Sequence, residues 1–248
     1  MRVLTSMARK GWRRELSLFL AVYLVYNAAR WIFVGDLPAA RAHAYWIVDL
    51  ERSAGVAVER SVQGAFDAAT SAELLSIVYL AAQFVVLPGV LIWLYRRAPD
   101  RYRALRNTVV ATWLIAVPIF ALFPVAPPRL ADLGFTDMVS QQPGVGLTGR
   151  STIFYNPFAA VPSLHVGFAF AVSLALAAAL PRRLPRALAL SWGPLVTLSV
   201  VATGNHYVFD VAVGLAVTAL GYAAGRLATR EQTPRRRREP RATALSPA

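Results

Sequence analysis

The chain has 248 residues and no cysteine, which excludes a disulfide framework, a thiolate metal site and a cysteine nucleophile. Hydrophobic residues make up 56% of it and the mean hydropathy is +0.47, too apolar for an ordinary soluble domain; the apolar residues fall into runs of about 20, the length that crosses a bilayer. A net charge of +13 and a pI near 11.1 would suit nucleic acid, but the arginines gather between the apolar runs and at both ends of the chain, as in the cytoplasmic segments of a membrane protein.

Taken in order, residues 1–14 carry Arg2, Arg9, Lys10, Arg13 and Arg14 and read as a basic N-terminal segment. The first apolar run, 15–34, is longer than a secretory apolar region and lacks a small-x-small cleavage site, so it predicts an uncleaved first span. Residues 36–70 differ in kind. Ile47, Leu50, Ala54, Val58, Val62 and Ala65 recur at helical spacing, with Asp49, Arg52, Ser53, Arg60, Gln63 and Asp67 mostly opposite. This pattern predicts an amphipathic helical segment in the membrane interface, with a polar-faced helix packed on the bundle as the alternative. His43, at its head, reads as an ordinary interfacial residue.

Further spans are expected at 72–95, 107–125, 164–180, 187–203 and 207–225, with a basic loop at 96–106 and a long Pro- and Gly-rich loop at 126–161. The tail from Arg226 holds Arg235 to Arg238 among prolines and few apolar residues, a composition that predicts disorder. The fold class that follows is all-α: a polytopic membrane protein with a six-transmembrane-helix bundle and an amphipathic segment between spans 1 and 2. Its parts are a basic cytoplasmic N-terminus at 1–14, a catalytic membrane domain at 15–228 and a basic cytoplasmic tail at 229–248.

Lys and Arg number five in 1–14, five in 96–106, three in 181–186 and seven in 226–248, but three against five acids in 36–70 and two against two in 126–161. That is the positive-inside pattern, with both termini cytoplasmic. It places the starts of the fourth and sixth spans on one outer side, and each start carries a histidine, His165 and His206. Asp210 follows His206 by four residues, so on a helix its carboxylate orients the imidazole for work as a nucleophile or base. Pro162 suits an early helix position, and the free N–H groups of that first turn make an anion site beside Ser163 and His165. Arg129 closes the third span on the same side. Ionisable residues at membrane depth are costly and mark function, and a set of Arg129, Ser163, His165, Asn205, His206 and Asp210 suits phosphoester transfer.

These residues resemble the type 2 phosphatidic acid phosphatase superfamily, and within it the branch containing inositol phosphorylceramide synthases. Pro162-Ser163-Leu164-His165 is similar to the family's Pro-Ser-Gly-His motif, Asn205-His206 through Asp210 to the end of its last motif, and Ala126-Pro127-Pro128-Arg129 to its first motif as that branch writes it. The chain departs from the phosphatases at Leu122 and Val200, where they carry a lysine and an arginine, and at Leu164 in place of the glycine; Ser199 keeps the serine ahead of Val200. The resemblance implies that His206 attacks phosphorus to form a phosphohistidine while Asp210 orients it. His165 would then protonate the leaving oxygen and activate the acceptor. Arg129, Ser163 and Asn205 would hold the phosphoryl oxygens, with Arg150 as a substitute cation.

The expected partners are a lipid phosphate or phospholipid, an acceptor such as inositol or another alcohol, and the bilayer. No cofactor and no metal are expected, since no carboxylate cluster of metal-binding type falls on the outer side. A lipid phosphate phosphatase is the alternative within the class. A non-catalytic lipid-binding protein or carrier is the alternative outside it, although no internal repeat of the carrier kind is visible. Residue by residue, Arg129 alone equally suits a snorkelling anchor and Asn205 a helix cap. Tyr155, Tyr207 and Trp192 read as belt aromatics, and Asn156 as a turn residue.

Overall fold

The computed structural model describes residues 11–22, 24–25, 28, 36–141 and 156–231. Among them the fold is all-helical and contains no strand; one isolated parallel bridge joins Val125 to Ala159. Helix α1 spans Leu37–Ser53 and α2 spans Glu59–Ala65. Helix α3 runs through Ala69–Arg97, with a π-helical stretch at Ala82–Val86, and α4 covers Pro99–Leu122. A 3-10 turn at Pro128–Leu130 opens the long outer connection, after which α5 covers Leu164–Ala179, α6 Arg183–Ala202 and α7 Val208–Glu231.

Four of these helices, α3, α4, α6 and α7, are long and apolar enough to cross a membrane, and α5 is an apolar helix of 16 residues. Residues 11–22 are helical, but most of the rest of the first expected run, like the tail beyond Glu231, lies outside the described residues. One boundary differs from expectation. The basic segment 96–106 is not a loop, because the chain breaks only at Ala98 (φ −148°, ψ 70°) and re-enters a helix at once. Pro99 explains this: at a first helical position its missing N–H costs nothing and its fixed φ is already helical. Inside the bundle, Arg106 and Tyr102 bond Glu15 at 2.6 and 2.8 Å, tying the N-terminal helical segment to α4.

Close packing is made through small residues on α7. Gly214 lies against the backbone of Ser163, Gly221 against Thr112 and Gly225 against Asn107, while Gly167 of α5 lies against Thr218. A Cβ at Gly214 would overlap the Ser163 carbonyl oxygen. In lipid, where apolar burial gains little, such backbone approach is what brings helices together. Its effect here is to press the start of α7 onto the start of α5.

The segment 36–70 packs on the bundle through one face. The buried face is Ala40, Ala44, Ile47 and Glu51, spaced four, three and four residues apart, rather than the whole expected stripe: Leu50 and Val58 remain 40% and 45% exposed. Gln63, expected opposite the apolar stripe, is buried as well. His43 is not a free interfacial residue either. Its Nδ1 donates to the Pro124 carbonyl at 2.7 Å and its ring stacks on Phe123 with centroids 4.2 Å apart, which fastens α1 to the end of α4. The opposite face of α1 exposes Tyr45 and Trp46.

Candidate active site

The site forms where α5 and α7 begin. Ser163 is the N-cap of α5, its hydroxyl accepting weakly from the Val166 N–H at 3.5 Å, and its own N–H donates to the Asp210 carbonyl at 3.0 Å. Pro162 therefore precedes the helix instead of opening it, and one N–H of the expected anion site is already spent on α7. His165 follows in the first turn of α5, its ring stacked on Tyr79 of α3 at 4.3 Å and 20°.

Across from it, the turn 203–207 is held by Val200, whose carbonyl accepts both the Asn205 and His206 N–H groups at 3.1 Å. Gly204 takes φ +71°, and a side chain there would crowd the Thr136 carbonyl and Gln63 Nε2, so the turn requires glycine twice over. His206 Nδ1 donates to Asp210 Oδ2 at 3.1 Å, and the Tyr207 N–H donates to the same oxygen at 2.9 Å. Burial pushes the His206 imidazole down to about 3, opposed by a hydrogen bond to the Ala160 carbonyl and reinforced by Arg129, so the ring is neutral. The rings of His165 and His206 stand 6.0 Å apart, close enough for one phosphoryl group to touch both.

Arg129 completes the set. Its N–H donates to the Gly204 carbonyl at 3.0 Å, its Nε to Asn205 Oδ1 at 2.9 Å, and its Nη1 lies 3.3 Å from Asp137 Oδ2. The guanidinium side chain is only 8% exposed and is gripped at several points, which is not how a snorkelling anchor sits. Asn205 is not a helix cap, since its oxygen takes Arg129 and its amide nitrogen donates to Thr203. His165, His206, Asp210, Ser163, Asn205 and Arg129 are thus brought together. Arg150 and Tyr155 lie outside the described residues.

A family model, that of the PAP2 superfamily, matches residues 45–224, from within α1 to within α7. The chain belongs to the PAP2 superfamily. Membership supports a phosphatase- or phosphotransferase-type function, and the apolar helices make this PAP2 protein a membrane protein. No curated protein and no solved structure matches the chain.

Among the positions where the chain departs from the phosphatases, Val200 is fully buried in an apolar cluster and Leu122 is 80% exposed. Ser199 gives its hydroxyl to the Leu75 carbonyl at 2.7 Å and so joins α6 to α3. Tyr207 corrects the sequence reading: it is no belt aromatic but fully buried, its hydroxyl donating to the Ala126 carbonyl at 3.1 Å. Trp192, on α6, packs half-buried against an apolar cluster of α3, α4 and α5, and Asn156 does form a turn, its Oδ1 accepting the Phe158 N–H at 2.9 Å.

Other residues at the site carried no motif. Asp137 pairs with Arg129, Tyr79 stacks on His165, and Gln63 of α2 links Thr136 to the end of α6 at Ala202. Glu51 and Glu59 reach the first N–H groups of α7. Glu51 was findable, because it continues the four-three-four spacing of Ala40, Ala44 and Ile47 onto the buried face of α1. The others depend on folding contacts that no local spacing announces.

Proposed function

We propose that this PAP2 protein is a lipid phosphotransferase that moves a phosphoryl or inositol-phosphoryl group from a lipid donor to an alcohol through a phosphohistidine. The observation that carries the reading is the His206–Asp210 dyad facing His165 across 6.0 Å. With Nδ1 committed to Asp210, Nε2 of His206 attacks phosphorus and the bond from phosphorus to the leaving oxygen breaks. His165 gives that oxygen its proton, then takes the proton of the acceptor hydroxyl, whose oxygen attacks the phosphohistidine and frees His206. Arg129 and Ser163 face the phosphoryl oxygens, and Asn205 holds Arg129 in position through its amide oxygen.

Charge favours a diester donor. A phosphomonoester brings about two negative charges and a glycerophospholipid diester about one. Leu122 and Val200 supply no cation, and Arg129 is already partly neutralised by Asp137. Purified protein incubated with labelled phosphatidylinositol and with phosphatidic acid, each with and without free inositol, is expected to turn over the diester faster and to transfer to the alcohol. Rapid release of inorganic phosphate from phosphatidic acid with no transfer would replace this reading by a lipid phosphate phosphatase.

In this reading six spans cross the membrane, α1 and α2 lie at the outer interface, and both termini are cytoplasmic. The support is the Lys and Arg distribution and the exposed Tyr45 and Trp46. A cysteine introduced at Gln141 is expected to react with an impermeant reagent from the extracytoplasmic side; reaction from the cytoplasmic side alone would invert the topology.

A further inference from the structure

Glu51 ends the buried face of α1 and Glu59 opens α2, and both are nearly fully buried, at 2% and 4% exposure. A carboxyl group is taken out of water at high cost unless it is paired or bonded. Here the partners are backbone. Glu59 Oε1 accepts the Val208 N–H at 2.8 Å and Glu51 Oε1 accepts the Phe209 N–H at 2.6 Å, while Asp210 Oδ2 takes the Tyr207 N–H. These are the orphan donors of a helix start, which ordinarily find a cap close by in sequence. In α7 two of the three caps come from a separate helical segment, 149 and 158 residues away.

The second carboxyl oxygen of Glu51, Oε2, is buried and accepts no donor. Its side chain faces that of Glu59, and the charged groups acting on it, Glu59 and Asp210, are both acidic; Tyr45 of α1 shares with the pair the surroundings of Tyr207. Among the described residues no three His, Cys, Asp or Glu side chains gather as metal ligands. A proton is the smallest group that relieves two facing carboxyls.

We propose that Glu51 and Glu59 are a positioning pair that holds one proton between them, clamps the first turn of α7 and so sets where His206 and Asp210 stand against His165. The proton lies on Glu51 Oε2 and is donated to the Glu59 carboxyl, which gives the otherwise unpartnered Oε2 a hydrogen bond. Burial first, opposed by the Phe209 N–H and reinforced by Glu59 and Asp210, pushes Glu51 up to about 8. A carboxyl raised in the folded state from 4.5 contributes stability that is whole below that value and is lost as pH rises through about 8. Above it, ionised carboxyls face one another at the start of α7 and the clamp loosens.

The effect on turnover rests on the proposed function, whereas the shared proton does not, and two measurements on the full chain in detergent separate them. In thermal unfolding from about pH 5 to about pH 9, wild type is expected to lose Tm relative to E51Q, by about 5 °C at the alkaline end. Glutamine keeps the acceptor for Phe209 and a donor for Glu59 but does not titrate. Equal pH slopes in the two proteins would overturn the shared proton.

In turnover of short-chain fluorescent phosphatidylinositol, E51A is expected to lose about tenfold or more through misplacement of His206. E51Q is expected to recover most of that loss and to keep its activity at the alkaline pH where wild type declines. Undiminished turnover in both E51A and E59A, or an alkaline decline in E51Q identical to that of wild type, would overturn the positioning role. Should E51A fail to fold, the E51Q profile decides. Absence of turnover in wild type with phosphatidylinositol and phosphatidic acid alike would count against the proposed function, and the Tm comparison would still decide the proton pair.

Discussion

His206→Ala is expected to abolish turnover, with a loss on the order of 10⁴-fold or more, because it removes the atom that bonds to phosphorus and no neighbouring group stands in its place. His165 is 6.0 Å away, stacked on Tyr79, and among the described residues has no carboxylate partner comparable to Asp210. Asp210→Asn removes orientation rather than the nucleophile, so slow residual turnover is expected from it. The Tyr207 N–H, which Asp210 also accepts, keeps an acceptor in the amide oxygen. The check is turnover of labelled lipid together with trapping of an acid-labile, base-stable phosphoryl adduct on wild type and its absence from His206→Ala. Full activity in His206→Ala would end the nucleophile assignment.

Arg129→Ala is expected to cost at least ~10²-fold in turnover, the usual scale for loss of a group that stabilises charge in the transition state. Its position makes the effect specific to charge and aim. The backbone N–H of residue 129 bonds Gly204 whatever the side chain, so the turn survives the substitution, while the Nε bond to Asn205 is lost. Arg129→Lys is expected to recover only part of the loss, since an ammonium group cannot hold Asn205 and Asp137 while presenting a flat fork to phosphate. Turnover within about threefold of wild type in Arg129→Ala would leave the phosphoryl charge without its assigned counter-charge and would reopen the phosphatase and non-catalytic readings.

The two substitutions differ in what the sequence disclosed beforehand. The i, i+4 spacing of His206 and Asp210 placed both on one face, and the observed Nδ1 to Oδ2 bond is what that spacing allows, although the histidine itself sits just ahead of the helix. Arg129 was legible as a basic residue at a span end and, in Ala126-Pro127-Pro128-Arg129, by its resemblance to a family motif. That it is nearly buried, bonded through Asn205 and opposed by Asp137 follows from contacts across 76 and 8 residues. Asn205 illustrates the limit most directly. Its place one residue ahead of a histidine suited a helix cap, but the first N–H groups of α7 were taken by Asp210, Glu59 and Glu51, which freed the amide to hold Arg129.

Hydropathy and charge order determined by themselves that the chain is a helical membrane protein, because backbone groups in lipid are satisfied locally within each helix and a run of apolar residues is sufficient to specify one. The motif spacing likewise placed His165, Ser163, His206 and Asp210 at the starts of two helices, a matter of 3.6-residue periodicity. Only the tertiary structure decided that those starts touch, through Gly214 against Ser163, and that Glu51, Glu59 and Gln63 of the segment 36–70 turn inward. The physical reason is that amphipathic patterning reports an average face, whereas a single buried Glu51, Glu59 or Gln63 is tolerated only where a specific unsatisfied donor or acceptor from a distant helix meets it. That meeting is a property of how the helices are stacked, and no periodicity along one segment encodes which donor on another will arrive there.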